Sequence, residues 1–168
     1  SFMGSVSRFS PIIFGFIGVF IVLNPNFDDF EYKDADLVAL TALTSSVTRA
    51  YEIASYYREK GITTVIGGIH ASMMLGEAIK FVDAVVIGEV ESVWPSLIED
   101  FEKGEIKKNY TGILLSMENA VKPQRDLFHR DYNFASIQTT RGCPMSCDFC
   151  SVHTFNGNSY RLRPVDEV

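Results

Sequence analysis

All three cysteines of the 168-residue chain fall in one run, Gln138-Thr139-Thr140-Arg141-Gly142-Cys143-Pro144-Met145-Ser146-Cys147-Asp148-Phe149-Cys150, with the spacing Cys-x3-Cys-x2-Cys. Packing alone scatters thiols through a core, so this concentration points to a site for a soft metal centre. An iron–sulfur cubane ordinarily takes four Cys thiolates; three leave one iron open to a small molecule. Zinc on Cys143, Cys147, Cys150 and His153 is also chemically admissible, because zinc accepts three thiolates and an imidazole in a tetrahedron. Zinc sites more often pair two short knuckles from separate stretches. Disulfides fit poorly, since the count is odd and the spacings would close very small rings. Pro144, Ser146 and Asp148 make the segment a polar loop, which argues against a set of buried thiols.

The three-cysteine spacing, with an aromatic residue just before the last cysteine, resembles the radical S-adenosylmethionine enzymes. The resemblance implies that Cys143, Cys147 and Cys150 bind a 4Fe-4S cluster and that the open iron chelates S-adenosyl-L-methionine. It further implies that Phe149 sits beside the adenine and that electron transfer cleaves the sulfonium to a 5′-deoxyadenosyl radical. A donor such as flavodoxin or ferredoxin is then the implied source of electrons. Gln138, Thr139, Thr140 and Arg141 resemble the family's strand leading into the cluster.

The elements that must position this loop are those of an ordinary globular protein. The composition is 46% hydrophobic and 21% charged, enough apolar content for a real core and too much for disorder. A net charge of −6 and a pI near 5.0 exclude a general electrostatic grip on nucleic acid, which needs clustered Lys and Arg. Clustered thiols with no others suit a reducing compartment, so a cytoplasmic location is expected. The apolar run Pro11 to Leu23 is short for a spanning helix and is read as a buried strand or irregular core, with no membrane span.

From Asp36 to Leu43 the apolar positions are nearly continuous, the pattern of a strand covered on both faces. Thr44, Ser45 and Ser46 offer helix caps, and a helix is predicted over Val47 to Lys60, closed by Gly61. The same unit repeats: strand Thr63 to Ile69 with helix Ala71 to Val82, then strand Asp83 to Gly88 with helix Ser92 to Lys103. Strands alternating with helices of this length predict crossovers and a parallel sheet in a layered α/β fold of Rossmann type. Trp94, Tyr56 and Tyr57 read as core. Between Glu105 and Tyr132 the periodicity fades, with Ile106 to Tyr110 and Gly112 to Leu115 as short extended pieces. Phe134 to Thr140 is predicted as a strand delivering the chain into the cysteine loop, and Pro164 as the start of a helix. Arg161 and Arg163 are read as solvent-facing.

In open parallel sheets, ligands settle beyond the carboxyl ends of the strands. Three such ends are visible: Thr44-Ser45-Ser46, Gly67-Gly68-Ile69-His70 and Gly88-Glu89-Val90-Glu91. In their order, and with the connector and cysteine loop after them, these resemble the cobalamin-binding domain that precedes the radical domain in one large subclass, over residues 34 to 168. The resemblance implies cobalamin contacts at Thr44, Ser45, Gly67, Gly68, His70, Gly88 and Glu89. The Asp-x-His-x-x-Gly motif that supplies a His to cobalt is absent, and His70 is read either as a neighbour of the corrin or its tail or as a structural His bonding a loop carbonyl. Glu91 reads as a helix cap.

The expected organisation is a poorly matched segment 1–33, a cobalamin-binding-like domain 34–115, a connector 116–133, and the first strand and cluster loop of a partial TIM barrel over 134–168. The expected function is that of a fragment of a cobalamin-dependent radical S-adenosylmethionine methyltransferase acting on a small-molecule or lipid-like substrate, inactive by itself. Two alternatives stay open: a radical enzyme whose front domain only scaffolds, and a noncatalytic zinc-binding module.

Overall fold

The structure, a computed structural model, describes residues 36–118, 120–121 and 137–168. The segment 1–33, with its apolar run, and residues 134–136 of the predicted strand Phe134 to Thr140 lie outside the described residues; of the rest of that strand, Ile137 to Thr139 are irregular and only Thr140 is extended and paired. The chain divides into two compact units, with the break between Ile113 and Leu114.

The first unit is a four-stranded sheet with helices between the strands. The order is β1 (Leu37–Thr41), α1 (Val47–Glu59), β2 (Thr63–Gly67), α2 (Ile69–Met73), α3 (Leu75–Ala78), β3 (Ala84–Ile87), a 3-10 turn (Val90–Ser92), α4 (Trp94–Lys103) and β4 (Asn109–Thr111). The strands lie side by side in sequence order, all parallel, with Leu37 opposite Thr63, Val65 opposite Ala84 and Val85 opposite Asn109. The predicted α/β parallel architecture is the one observed. The faded region after Glu105 supplies β4, whose Tyr110 is buried and donates from its hydroxyl to Asp100 of α4 (2.9 Å). Lys107, then Tyr110, hold the Asp100 carboxyl below the usual range by hydrogen bonding to its charged form.

The core follows from strands buried along most of their length meeting period-3.6 stripes in the helices. Val38, Leu40, Ile66 and Val85 pack with Ala50, Ile53, Ala54 and Tyr57 of α1 and with Ala71, Ala78 and Val82. Trp94 and Tyr57 are buried as expected, whereas Tyr56 is exposed and takes a cation–π contact from Lys60. One polar clamp ties this interior to the surface, where Arg58 and Asp83 are partly exposed. Buried Thr64 donates from its backbone N–H and its hydroxyl to Asp83 Oδ2 (2.9 and 3.1 Å), and Arg58 Nε donates to Asp83 Oδ1 (3.1 Å). With its carbonyl accepting from the Asp83 N–H (3.0 Å), every polar group of the fully buried Thr64 is satisfied.

Three local expectations change. The helix predicted over Ala71 to Val82 is two short pieces broken at Met74, whose φ of −118° and ψ of 44° leave the helical region. Gly76, two residues on, gives the second piece little intrinsic support. Ser46 is the residue at the start of α1, but with φ −119° and ψ 0° its hydroxyl does not reach forward to a cap. It turns back instead, accepting from Leu43 N and donating to Leu43 O, both at 3.2 Å. Glu91 lies in the 3-10 turn before α4, and no side-chain cap closes that helix.

The second unit carries the cysteine loop. Its described part includes a two-stranded antiparallel ribbon, β5 (Thr140–Arg141) with β6 (Arg161–Leu162), and α5 (Val152–Asn156) between them. At Pro164 a 3-10 turn, Val165–Glu167, stands where a helix start was predicted.

Candidate functional site

The cysteine loop is closed at both ends by its own backbone. β5 and β6 bring Arg141 opposite Arg161, and the Cys143 N–H donates to Gly157 O (3.0 Å), so the chain entering the loop lies against the turn leaving α5. Within the loop the Cys150 N–H donates to Cys147 O (3.0 Å). Gly142 makes the close approach possible: at φ +85°, a Cβ there would lie 2.1 Å from Ser159 O. Cys143, Cys147 and Cys150 are free thiols, each half-buried. Phe149 is 93% exposed and makes the loop's outermost apolar surface.

Three free, half-buried thiols on one largely exposed loop are a donor set that fits an iron–sulfur cluster. Among the described residues, no three His, Cys, Asp or Glu are grouped closely enough to hold a metal ion. His153, the fourth donor of the zinc alternative, lies on α5 with its Nδ1 buried and without a hydrogen-bond partner.

Arg161 and Arg163 differ from the solvent-facing expectation. Arg161 donates to the backbone carbonyls of Leu115 and Asn156, and Arg163 to those of Ala120 and Val121. Five guanidinium N–H groups in a fixed fork suit this multiple carbonyl capture.

In the first unit, the parallel sheet places the three strand ends named from sequence along one edge. Gly67 is the last residue of β2, and Gly68, at φ +93°, turns the chain into α2. A Cβ on Gly68 would lie 2.7 Å from Thr41 Oγ1 and 3.0 Å from Ala42 O, so glycine lets the end of β2 lie against the end of β1. Gly88 follows β3 and its N–H donates to Ser72 Oγ (3.0 Å). Glu89 beside it is 5% exposed. Thr44 and Ser45 are exposed on the loop after β1.

His70 joins two of these ends. It is 8% exposed, with Nδ1 3.1 Å from Thr44 Oγ1 and Nε2 3.3 Å from Glu77 Oε1. His70 thus bonds two side chains, Thr44 on the loop after β1 and Glu77 of α3, rather than a loop carbonyl, and it follows the carboxyl end of β2. Sequence reasoning missed Ser72 and Glu77. Their signal is weak, a serine and a glutamate in a region read as one amphipathic helix. Tyr51 lies against the same group. Its hydroxyl is buried without meeting hydrogen-bond geometry, and burial, with the nearby Glu77 carboxylate second, pushes the phenol up to about 12. On the far side of Glu77 an open groove of about 610 Å³ runs along α1, lined in part by Tyr51, Glu52, Ser55 and Phe81. Among the described residues, no helix is long and apolar enough to cross a membrane.

No family model matches the chain. It is 34% identical over 149 residues to a bacteriochlorophyllide d C-8(2)-methyltransferase of Chlorobaculum tepidum, an alignment covering 81% of this chain and 32% of that protein. It is 32% identical over 151 residues to the bacteriochlorophyllide d C-12(1)-methyltransferase of the same organism, covering 82% of this chain and 32% of the relative. A hopanoid C-3 methylase of Methylococcus capsulatus is 31% identical over 128 residues, covering 62% of this chain and 25% of that protein. The chain spans about a third or less of the length of these curated relatives. Over that span, the chain is similar to enzymes whose names are those of methyltransferases and methylases.

Proposed function

We propose that the chain is part of a cobalamin-dependent radical S-adenosylmethionine methyltransferase. The observation that carries this reading is the set of three free, half-buried thiols on one loop framed by β5 and β6. Similarity to methyltransferases supports it. When bound, a 4Fe-4S cluster supplies the electron that cleaves S-adenosylmethionine, and cobalamin supplies a methyl carrier. The chain's own residues have simpler tasks. Cys143, Cys147 and Cys150 hold the cluster as thiolates, Gly142 and the Cys143 N–H fix the loop, and Phe149 offers an aromatic face to the adenine. Thr44, Ser45, Gly67, Gly68, His70, Gly88 and Glu89 line the edge proposed for the corrin.

On this reading residues 34–115 form the cobalamin domain, 116–133 a connector and 134–168 the opening of the radical domain. The substrate class is a bulky, largely apolar small molecule, tetrapyrrole-like or lipid-like, as the names of the relatives suggest. Electrons come from a small redox protein of the flavodoxin or ferredoxin type.

Anaerobic reconstitution with iron and sulfide tests the cluster. The expected result is a brown protein with about four irons per chain, lost on Cys147→Ala. A colourless protein holding one zinc per chain overturns it. Titration with hydroxocobalamin tests the front domain separately: retention supports the cobalamin reading, and failure leaves that domain a scaffold.

A further inference from the structure

We propose that Glu77, His70 and Thr44 form a polarised relay that fixes the Thr44 hydroxyl as a hydrogen-bond acceptor at the strand ends. The site therefore selects a ligand group that donates, such as a primary amide on the rim of a corrin. This deepens the cobalamin reading and rests on it for the identity of the ligand.

The direction of the relay follows from what each group is able to do. An ionised carboxylate only accepts, so the imidazole nitrogen facing Glu77 Oε1 at 3.3 Å, Nε2, must carry a hydrogen. In the neutral ring the other nitrogen, Nδ1, is then an acceptor. The group facing Nδ1 at 3.1 Å is the Thr44 hydroxyl, which has one hydrogen and gives it to Nδ1. What Thr44 has left for an incoming ligand is lone pairs. The imidazole is buried and its two nitrogens are both engaged, so neither is free to ligate cobalt, in keeping with the absent Asp-x-His-x-x-Gly motif. Thr44 itself is exposed on the loop after β1, where the parallel sheet opens. His70 and Glu77 are thus positioning residues, acting through Thr44.

An amide N–H meeting Thr44 Oγ1 completes a hydrogen bond, whereas a carboxylate at the same place sets lone pair against lone pair. Cobalamin carries primary amides on its rim, and single hydrolysis gives monocarboxylate isomers that differ in that one group. The experiment compares the affinity of the 168-residue chain for hydroxocobalamin and for each isomer. The expected result is that one isomer binds about tenfold more weakly than hydroxocobalamin. His70→Phe should reduce that ratio to about one, because the Thr44 hydroxyl is then free to rotate and donate. His70→Gln should restore it, since the amide can donate to Glu77 and accept from Thr44. Circular dichroism of each variant shows whether the fold is kept. Independently of any corrin, nitrogen-15 spectra of the ring should show His70 held as the Nε2–H tautomer, relaxing toward the free-histidine mixture in Glu77→Leu.

An Nδ1–H tautomer in the unmodified chain overturns the relay. So does binding of hydroxocobalamin with no discrimination among the isomers, or a ratio unchanged by His70→Phe. If no corrin binds at all, the cobalamin reading fails and the amide ligand with it, while the tautomer result still decides the relay.

Discussion

Replacing Gly142 by alanine should break the cysteine loop. Gly142 has φ +85°, in the left-handed region where an L residue costs about 1–2 kcal/mol. The larger effect is steric. A Cβ would sit 2.1 Å from Ser159 O, 3.0 Å from Asn156 O and 3.1 Å from Gly157 O. All three are main-chain oxygens, so no side chain is available to swing aside and the turn after α5 must move. Gly157 O is the acceptor for the Cys143 N–H at 3.0 Å, and moving it removes the bond that places the first cysteine; a hydrogen bond contributes about 1 kcal/mol. Together, about 2–3 kcal/mol of conformational and hydrogen-bond stabilisation is lost before any relief of the clash. That corresponds to a thirtyfold or larger shift, ~30–150-fold, against the closed loop. The assay is iron and sulfide content after anaerobic reconstitution, alongside far-ultraviolet circular dichroism of the parallel sheet. The expected outcome is less than about a tenth of the normal iron with the α/β signal unchanged, given that the apolar core of the sheet lies within residues 38–85 and the cysteine loop belongs to the other compact unit. An alanine variant that loads iron like the parent protein would refute the packing argument.

Two further outcomes follow from the first unit. Tyr51, pushed up to about 12, favours the folded state fully below its unfolded pKa near 10 and loses that contribution as pH rises towards 12, about 2–3 kcal/mol in all. Denaturant titration at pH 9 and at pH 12 should show a larger loss in the parent than in Tyr51→Phe, since Tyr110, Lys103 and Lys107, also raised, contribute alike to both; equal losses in the two proteins would place the titrating group elsewhere. Ile53, 1% exposed in the contact between α1 and the sheet, should cost about 2–5 kcal/mol on truncation to alanine, read as a lower midpoint in the same titration. A change under about 1 kcal/mol would mean that the core closes over the gap.

The alternation of apolar strands with helices was legible because both periodicities are local: Leu37 to Thr41 and Val47 to Glu59 read correctly from their own residues. The strand at Asn109–Thr111 was harder, since it contributes three residues and only Tyr110 is buried. The ribbon of β5 and β6 joins residues some twenty positions apart through two pairs, which leaves no periodic trace. The three thiols declared themselves through spacing alone. Glu77 did not: it meets His70 only because the chain breaks at Met74, a backbone event that helix propensity does not foretell. The turned-back Ser46 shows the same limit, as the residue type fitted a cap and the dihedral angles did not.

Arg161 and Arg163 have a consequence for how this region tolerates change. Both grip carbonyl oxygens of Leu115, Asn156, Ala120 and Val121, atoms that every amino acid carries in the same place. Drift in the identity of those four positions leaves the grip intact, so related chains are free to diverge there. Swapping either arginine for lysine, a conservative exchange by charge, removes the fork and should be the less forgiving mutation.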